Sequence, residues 1–137
     1  MLSSVLVGLS AGLILILGAA HLLYTFVGRR LVPRDSELQA SMNNVSPNIS
    51  DQTTMWRAWI GFNASHSMGA ILFGLIYGYL AVFEVDLLFG SVFLLSVGIA
   101  MLGGYVVLAR RYWFAAPLAG ISVSLICFVS GVIVSRL

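Results

Sequence analysis

The chain has 137 residues, of which 60% are hydrophobic and only 9% charged, and its mean hydropathy is +1.02. A water-soluble domain carries about 25% charged residues, so this composition excludes one and points to lipid. All seven basic residues are arginine, and the formal net charge of +2 is no sign of nucleic acid, because those arginines flank apolar runs instead of forming a stripe; no nucleic-acid partner is expected.

Four stretches contain no Asp, Glu, Lys or Arg and reach the roughly 20 residues needed to cross a bilayer: residues 2–27, 58–83, 87–109 and 112–135. Inside lipid each must satisfy its own backbone hydrogen bonds, and none shows strand alternation, so all four are expected to be helices. The first run has no basic residues before it and exceeds the roughly 7–15 residues of a signal-peptide core, so it reads as a retained span. The expected fold class is therefore all-α, an integral membrane four-helix bundle of up-down topology forming a single membrane domain.

The first connection, 28–54, is long. It contains Pro33, Pro47, Arg29, Arg30 and Arg34. Within it Ser36-Glu37-Leu38-Gln39 matches a capping box, and Leu38 and Met42 are four apart, so a short surface helix is expected. Ser50 or Asp51 is expected to cap the second span. Asn-x-Ser/Thr sequons occur at Asn44, Asn48 and Asn63, in places unsuited to glycosylation. The second connection, Glu84-Val85-Asp86, reads as a tight acidic turn. The third, Arg110-Arg111, reads as a tight basic turn. The positive-inside rule then puts the first and third connections in the cytoplasm, with both termini outside; six of seven arginines sit inside and only Arg136 outside. Trp56, Trp59, Tyr112 and Trp113 fit an aromatic belt on that side.

Small residues recur four apart: Gly8 and Gly12, Gly74 and Gly78, Ala100 and Gly104, and on the fourth span Ala116, Gly120 and Ser124, with Cys127, Gly131 and Ser135. Such spacing lets membrane helices approach closely. Most of it is expected to serve internal packing. Two ladders on the fourth span leave one for a homodimer or a larger membrane complex, besides the lipid bilayer itself. Pro117 lies near the start of that span, where a missing N–H matters little. Cys127, the single cysteine, is a small apolar filler.

Both histidines lie inside spans. His21 stands eight residues before Arg29, about 12 Å along a helix, and His66 nine residues after Arg57, about 13.5 Å. Because the first two spans run in opposite directions, the two imidazoles are expected at the same depth. With Tyr24 and Thr25 beside His21, and Trp59, Asn63 and Ser67 beside His66, they would form a polar intramembrane pocket. Polar and ionisable groups at such depth are costly and mark function by default.

Three readings follow. His21, Tyr24, Asn63, His66, Ser67 and Trp59 could bind a small ligand, a quinone or a lipid headgroup. His21 and His66 could be axial ligands of haem b. The same groups could only fix helix packing. No carboxylate or cysteine lies at that depth, so neither a metal site nor a catalytic triad is expected. The chain reads as non-enzymatic, with an accessory subunit of a larger complex as a further alternative.

The segment Trp59-Ile60-Gly61-Phe62-Asn63-Ala64-Ser65-His66, with Gly18-Ala19-Ala20-His21 in the first span, resembles a family of small, uncharacterised bacterial four-helix membrane proteins. The resemblance extends over the whole chain. It implies a four-helix fold and a bacterial cytoplasmic membrane location, and no mechanism.

Overall fold

A computed structural model describes all 137 residues. It contains six helices and no strand: α1 Leu2–Phe26, α2 Ser36–Asn44, α3 Met55–Phe83, α4 Val85–Gly90, α5 Val92–Tyr112 and α6 Ala115–Val134. Four of them, α1, α3, α5 and α6, are long and apolar enough to cross a membrane. Only 22–39% of the most apolar window of each is buried, so most of their apolar surface faces outward. A water-soluble helix keeps a polar outer face, whereas these are apolar all round, as lipid requires.

The ends of the spans differ from the sequence expectation in informative ways. The third span does not begin at Leu87. Residues 85–90 form the separate short helix α4, and the chain breaks at Ser91, whose backbone is extended and whose side chain accepts from the Leu94 amide at 3.3 Å. Ser91 thereby caps α5 and takes one of the amides that have no partner within the helix. Arg110 and Arg111 do not form the next turn; they lie in the last turn of α5, where cations meet the negative end of the helix dipole. The reversal falls instead at Trp113 and Phe114, both extended. Pro117 occupies the first turn of α6, where its missing N–H would have had no partner.

Two more caps fall beside the expected residues. Asp35, not Ser36, caps α2, its Oδ1 accepting from the amides of Glu37 at 2.8 Å and Leu38 at 3.4 Å. Thr54, not Ser50 or Asp51, caps α3, its Oγ1 accepting from the Arg57 amide at 3.3 Å. Ser50 Oγ instead accepts from the Gln52 amide at 3.2 Å, in a local turn. In each case a neighbouring residue with an acceptor oxygen stands closer to the first free amides.

The chain divides into two compact units, residues 1–17 with 70–137, and residues 18–69. In the first, all four long helices pack around Val7, Ile14, Phe73, Leu95, Leu102 and Phe128. A Cβ on Gly74 would stand 2.6 Å from Leu15 Cβ and 2.8 Å from the Ala11 carbonyl oxygen, so α3 approaches α1 as only a glycine permits. A Cβ on Gly131 would stand 2.9 Å from the Ser3 carbonyl oxygen, so α6 does the same. On Gly98 it would collide with the buried Phe128 ring, which fills the α5–α6 contact. The two ladders expected on the fourth span thus contribute to one internal face, along which Gly120, Ser124, Phe128 and Gly131 meet their neighbours.

Polar groups in this unit are paired. Ser124 Oγ donates to the Ser10 carbonyl at 3.0 Å, which leaves the Ser10 hydroxyl to donate across the 2.8 Å gap to Ser124 Oγ. Tyr77 donates its hydroxyl to the Leu94 carbonyl at 2.7 Å, joining α3 to α5 just after the Ser91 break. Arg136 reaches the Phe89 carbonyl at 3.1 Å, so the end of α6 and the α4 segment lie together, as up-down topology demands.

A candidate polar site around His21, Asn63 and His66

The second unit contains the last turns of α1, the connection with α2, and the first four turns of α3. Gly28 begins the connection with φ +84°, two residues past the end of α1. A left-handed glycine at this place is a common helix stop, because the conformation costs it no Cβ clash.

Asn63 organises the site. Its Nδ2 donates to the Trp59 carbonyl one turn earlier at 2.8 Å. That bond fixes which way the amide faces, so Oδ1 is the atom presented to His21, 3.0 Å from Nε2. A carbonyl oxygen can only accept. His21 Nε2 therefore carries its hydrogen and donates, and the helix backbone at Trp59 sets the His21 tautomer through the Asn63 side chain. His66, three residues after Asn63 and so on the same face of α3, places its ring 5.6 Å from His21 at 86°, an edge-on arrangement. The matched depth expected from counting along two antiparallel spans is met by these two rings.

The hydroxyls around this core look inward along their own helices. Thr25 Oγ1 donates to the His21 carbonyl at 2.8 Å, and Ser67 Oγ donates to the Asn63 carbonyl at 2.7 Å, each bonding one turn back. Ser67 is 0% exposed, so its hydroxyl supports the Asn63 turn and is not open to a ligand. Ser65 turns outward and donates to the Phe62 carbonyl at 3.1 Å. Phe62 is 75% exposed and belongs to the outer surface of α3, away from the two rings.

Tyr24 and Trp59, expected in the same patch, make other contacts. The Tyr24 ring lies 4.1 Å beneath the Arg30 guanidinium. Trp59 Nε1 donates to the Leu31 carbonyl at 3.0 Å and pins the connection to α3. Neither Arg30 nor Leu31 stood out in the sequence as a neighbour of these aromatics. The signal for Arg30 was the Gly28 turn that folds it back; the Leu31 contact goes through its carbonyl and leaves no mark in residue type.

No protein-family model, curated protein or solved structure matches the chain. The site has to be read from its own chemistry. No group of three or more His, Cys, Asp or Glu residues is gathered where a metal ion could sit. All five carboxylates lie outside the four long helices, which leaves no acidic partner to orient either imidazole for catalysis. Haem would take one ring nitrogen from each histidine, and His21 Nε2 is committed to Asn63, so ligation through that atom requires the bond to break. As arranged, the residues fit a hydrogen-bonding pair more closely than an axial-ligand pair.

Proposed function

We propose that the protein is a small, non-enzymatic polytopic membrane protein that binds a small polar ligand, a quinone or a lipid headgroup, at His21, Asn63 and His66. The observation that carries this reading is the His21–Asn63 bond with the His66 ring held edge-on beside it, in helices otherwise almost wholly apolar. Packing alone needs no imidazole pair at that depth, since small residues and serines supply it elsewhere in the chain. A ligand bearing a carbonyl or hydroxyl can exchange hydrogen bonds with imidazole in either role.

In the same proposal the protein sits in a bacterial cytoplasmic membrane, with both termini and the Glu84–Asp86 segment outside. The support is the placement of Arg29, Arg30, Arg34, Arg57, Arg110 and Arg111 at one set of span ends, against Arg136 alone at the other.

The test is a titration of the purified full chain with a short-chain alkyl benzoquinone, followed by tryptophan fluorescence. Saturable binding is expected, and His66→Ala should raise Kd about tenfold or more while Tm stays unchanged, a loss of about 1.4 kcal/mol. An unchanged Kd in His66→Ala, or a variant that loses only Tm, overturns the reading. A Soret band after haem supplementation, lost in His21→Ala and His66→Ala, would assign the pair to haem b instead.

A further inference from the structure

A second feature of the 18–69 unit lies apart from the histidines. A cleft of about 390 Å³ opens between α2, the turn after α1 and Trp59. Its walls are Leu38 and Met42 from α2, Leu31 and Pro33 from the turn, and the Trp59 indole, with Arg30 as its one charged member. The volume is in the range of small-ligand sites. Leu38 and Met42, four apart, form the apolar side of an otherwise polar helix, and Leu38 is 52% exposed although it faces this cleft.

Two contacts hold the cleft in shape. The Trp59–Leu31 hydrogen bond fixes the wall against the turn. The Arg30 guanidinium lies 4.1 Å from the centre of the Tyr24 ring, a cation–π contact that holds its position. Arg29 and Arg34, close in sequence, are exposed. The nearest carboxylate in sequence, Asp35, is occupied in capping α2 through two backbone amides. Arg30 and Leu31 follow the end of α1 by four and five residues, and Trp59 lies in the first turns of α3, so the cleft is built from residues close in sequence to two span ends, where headgroups are expected.

We propose that this cleft binds one anionic phospholipid, with its phosphate on Arg30 and the upper part of an acyl chain along Leu38, Met42 and Trp59. Charge and polarity together select this occupant. A free anion would leave the apolar walls wet, and a neutral lipid would leave the positioned guanidinium without its partner. Arginine matches a phosphate with paired hydrogen bonds, and basic residues beside a span attract anionic lipid. The cleft shares only Trp59 with the histidine site, and through different atoms: the indole lines the cleft, while the backbone carbonyl accepts from Asn63.

The experiment is native mass spectrometry of the full chain in detergent with equal amounts of dioleoyl phosphatidylglycerol and dioleoyl phosphatidylcholine. The wild type should retain phosphatidylglycerol about fivefold over phosphatidylcholine, the discrimination expected from one arginine at the surface. Arg30→Gln should bring the ratio near one, and Leu38→Gln should lower retention of phosphatidylglycerol. The pair Arg110→Gln and Arg111→Gln should leave the ratio unchanged. Glycerol phosphate at equal concentration should not displace the lipid. A wild-type ratio near one overturns the proposal, as does equal sensitivity to Arg110→Gln and Arg111→Gln or displacement by glycerol phosphate. A dimer dissociated by Leu38→Gln with no change in the lipid ratio would give the cleft to a second copy of the chain and overturn it as well.

Discussion

Asn63 lies between a backbone carbonyl on its own helix and an imidazole on another, and this position determines what the two groups can do. Its amide cannot turn over without exchanging a donor for an acceptor at both ends, so the His21 tautomer is set by α3. In lipid the worth of such a bond is modest, because an unpaired polar group finds other partners within the membrane. A double-mutant cycle on His21→Ala and Asn63→Ala, followed by thermal unfolding in detergent, should therefore give a coupling of roughly 0.6–1.7 kcal/mol. Coupling near zero would mean that the two side chains do not hold each other. Counting from Arg29 and Arg57 across antiparallel spans set His21 level with His66, and helical spacing put Asn63 on the His66 face. Which atom faces which could not be read from sequence, because the Asn63 amide is oriented by the Trp59 carbonyl, a backbone group common to every residue.

At the scale of the helices, glycine spacing alone did not separate contact from exposure. Gly8 and Gly12 share the four-residue spacing of Gly74 and Gly78, yet a Cβ on either of the first two would meet nothing within 4 Å. On Gly74 it would meet backbone of α1 at 2.8 Å, which cannot move aside as a side chain can. Gly74→Ala should thus cost about 1–3 kcal/mol, while Gly8→Ala should be neutral or stabilising by up to about 1 kcal/mol. Parallel thermal melts of the two variants check this, and equal melting temperatures would contradict the close approach of α1 and α3. The spans themselves were legible because twenty uncharged residues admit one structure in a membrane. Their ends were not: Ser91 carries no charge, and Arg110 and Arg111 look like a turn but complete a helix. The Ser10–Ser124 pair was invisible because its members are 114 residues apart and each is an ordinary small residue of a span.

For the molecule as a whole, the four spans fix that the connections alternate between the two faces of a membrane. They do not by themselves fix which face is which. Arg136 bonding to the Phe89 carbonyl ties the C-terminal end of α6 to the α4 segment, so those two share a face and a single topological measurement assigns both. The proposed direction rests on the arginines. Insertion retains basic residues on the cytoplasmic side, and counting those within about 15 residues of the span ends gives six against one. The single cysteine makes the measurement simple, since Cys127→Ser leaves the chain free of thiols. In that background a membrane-impermeant maleimide applied to intact bacterial cells should label Leu137→Cys and leave Asn48→Cys untouched until the membrane is opened. Labelling of Asn48→Cys in intact cells, with Leu137→Cys protected, would invert the proposed orientation. It would also move the Arg30 cleft to the outer leaflet, where the cytoplasmic surface potential no longer concentrates basic segments on anionic lipid. The Trp59–Leu31 and Arg30–Tyr24 contacts would keep the shape of the cleft in either case, so its lipid selectivity and its side of the membrane are separable properties, measured by separate experiments.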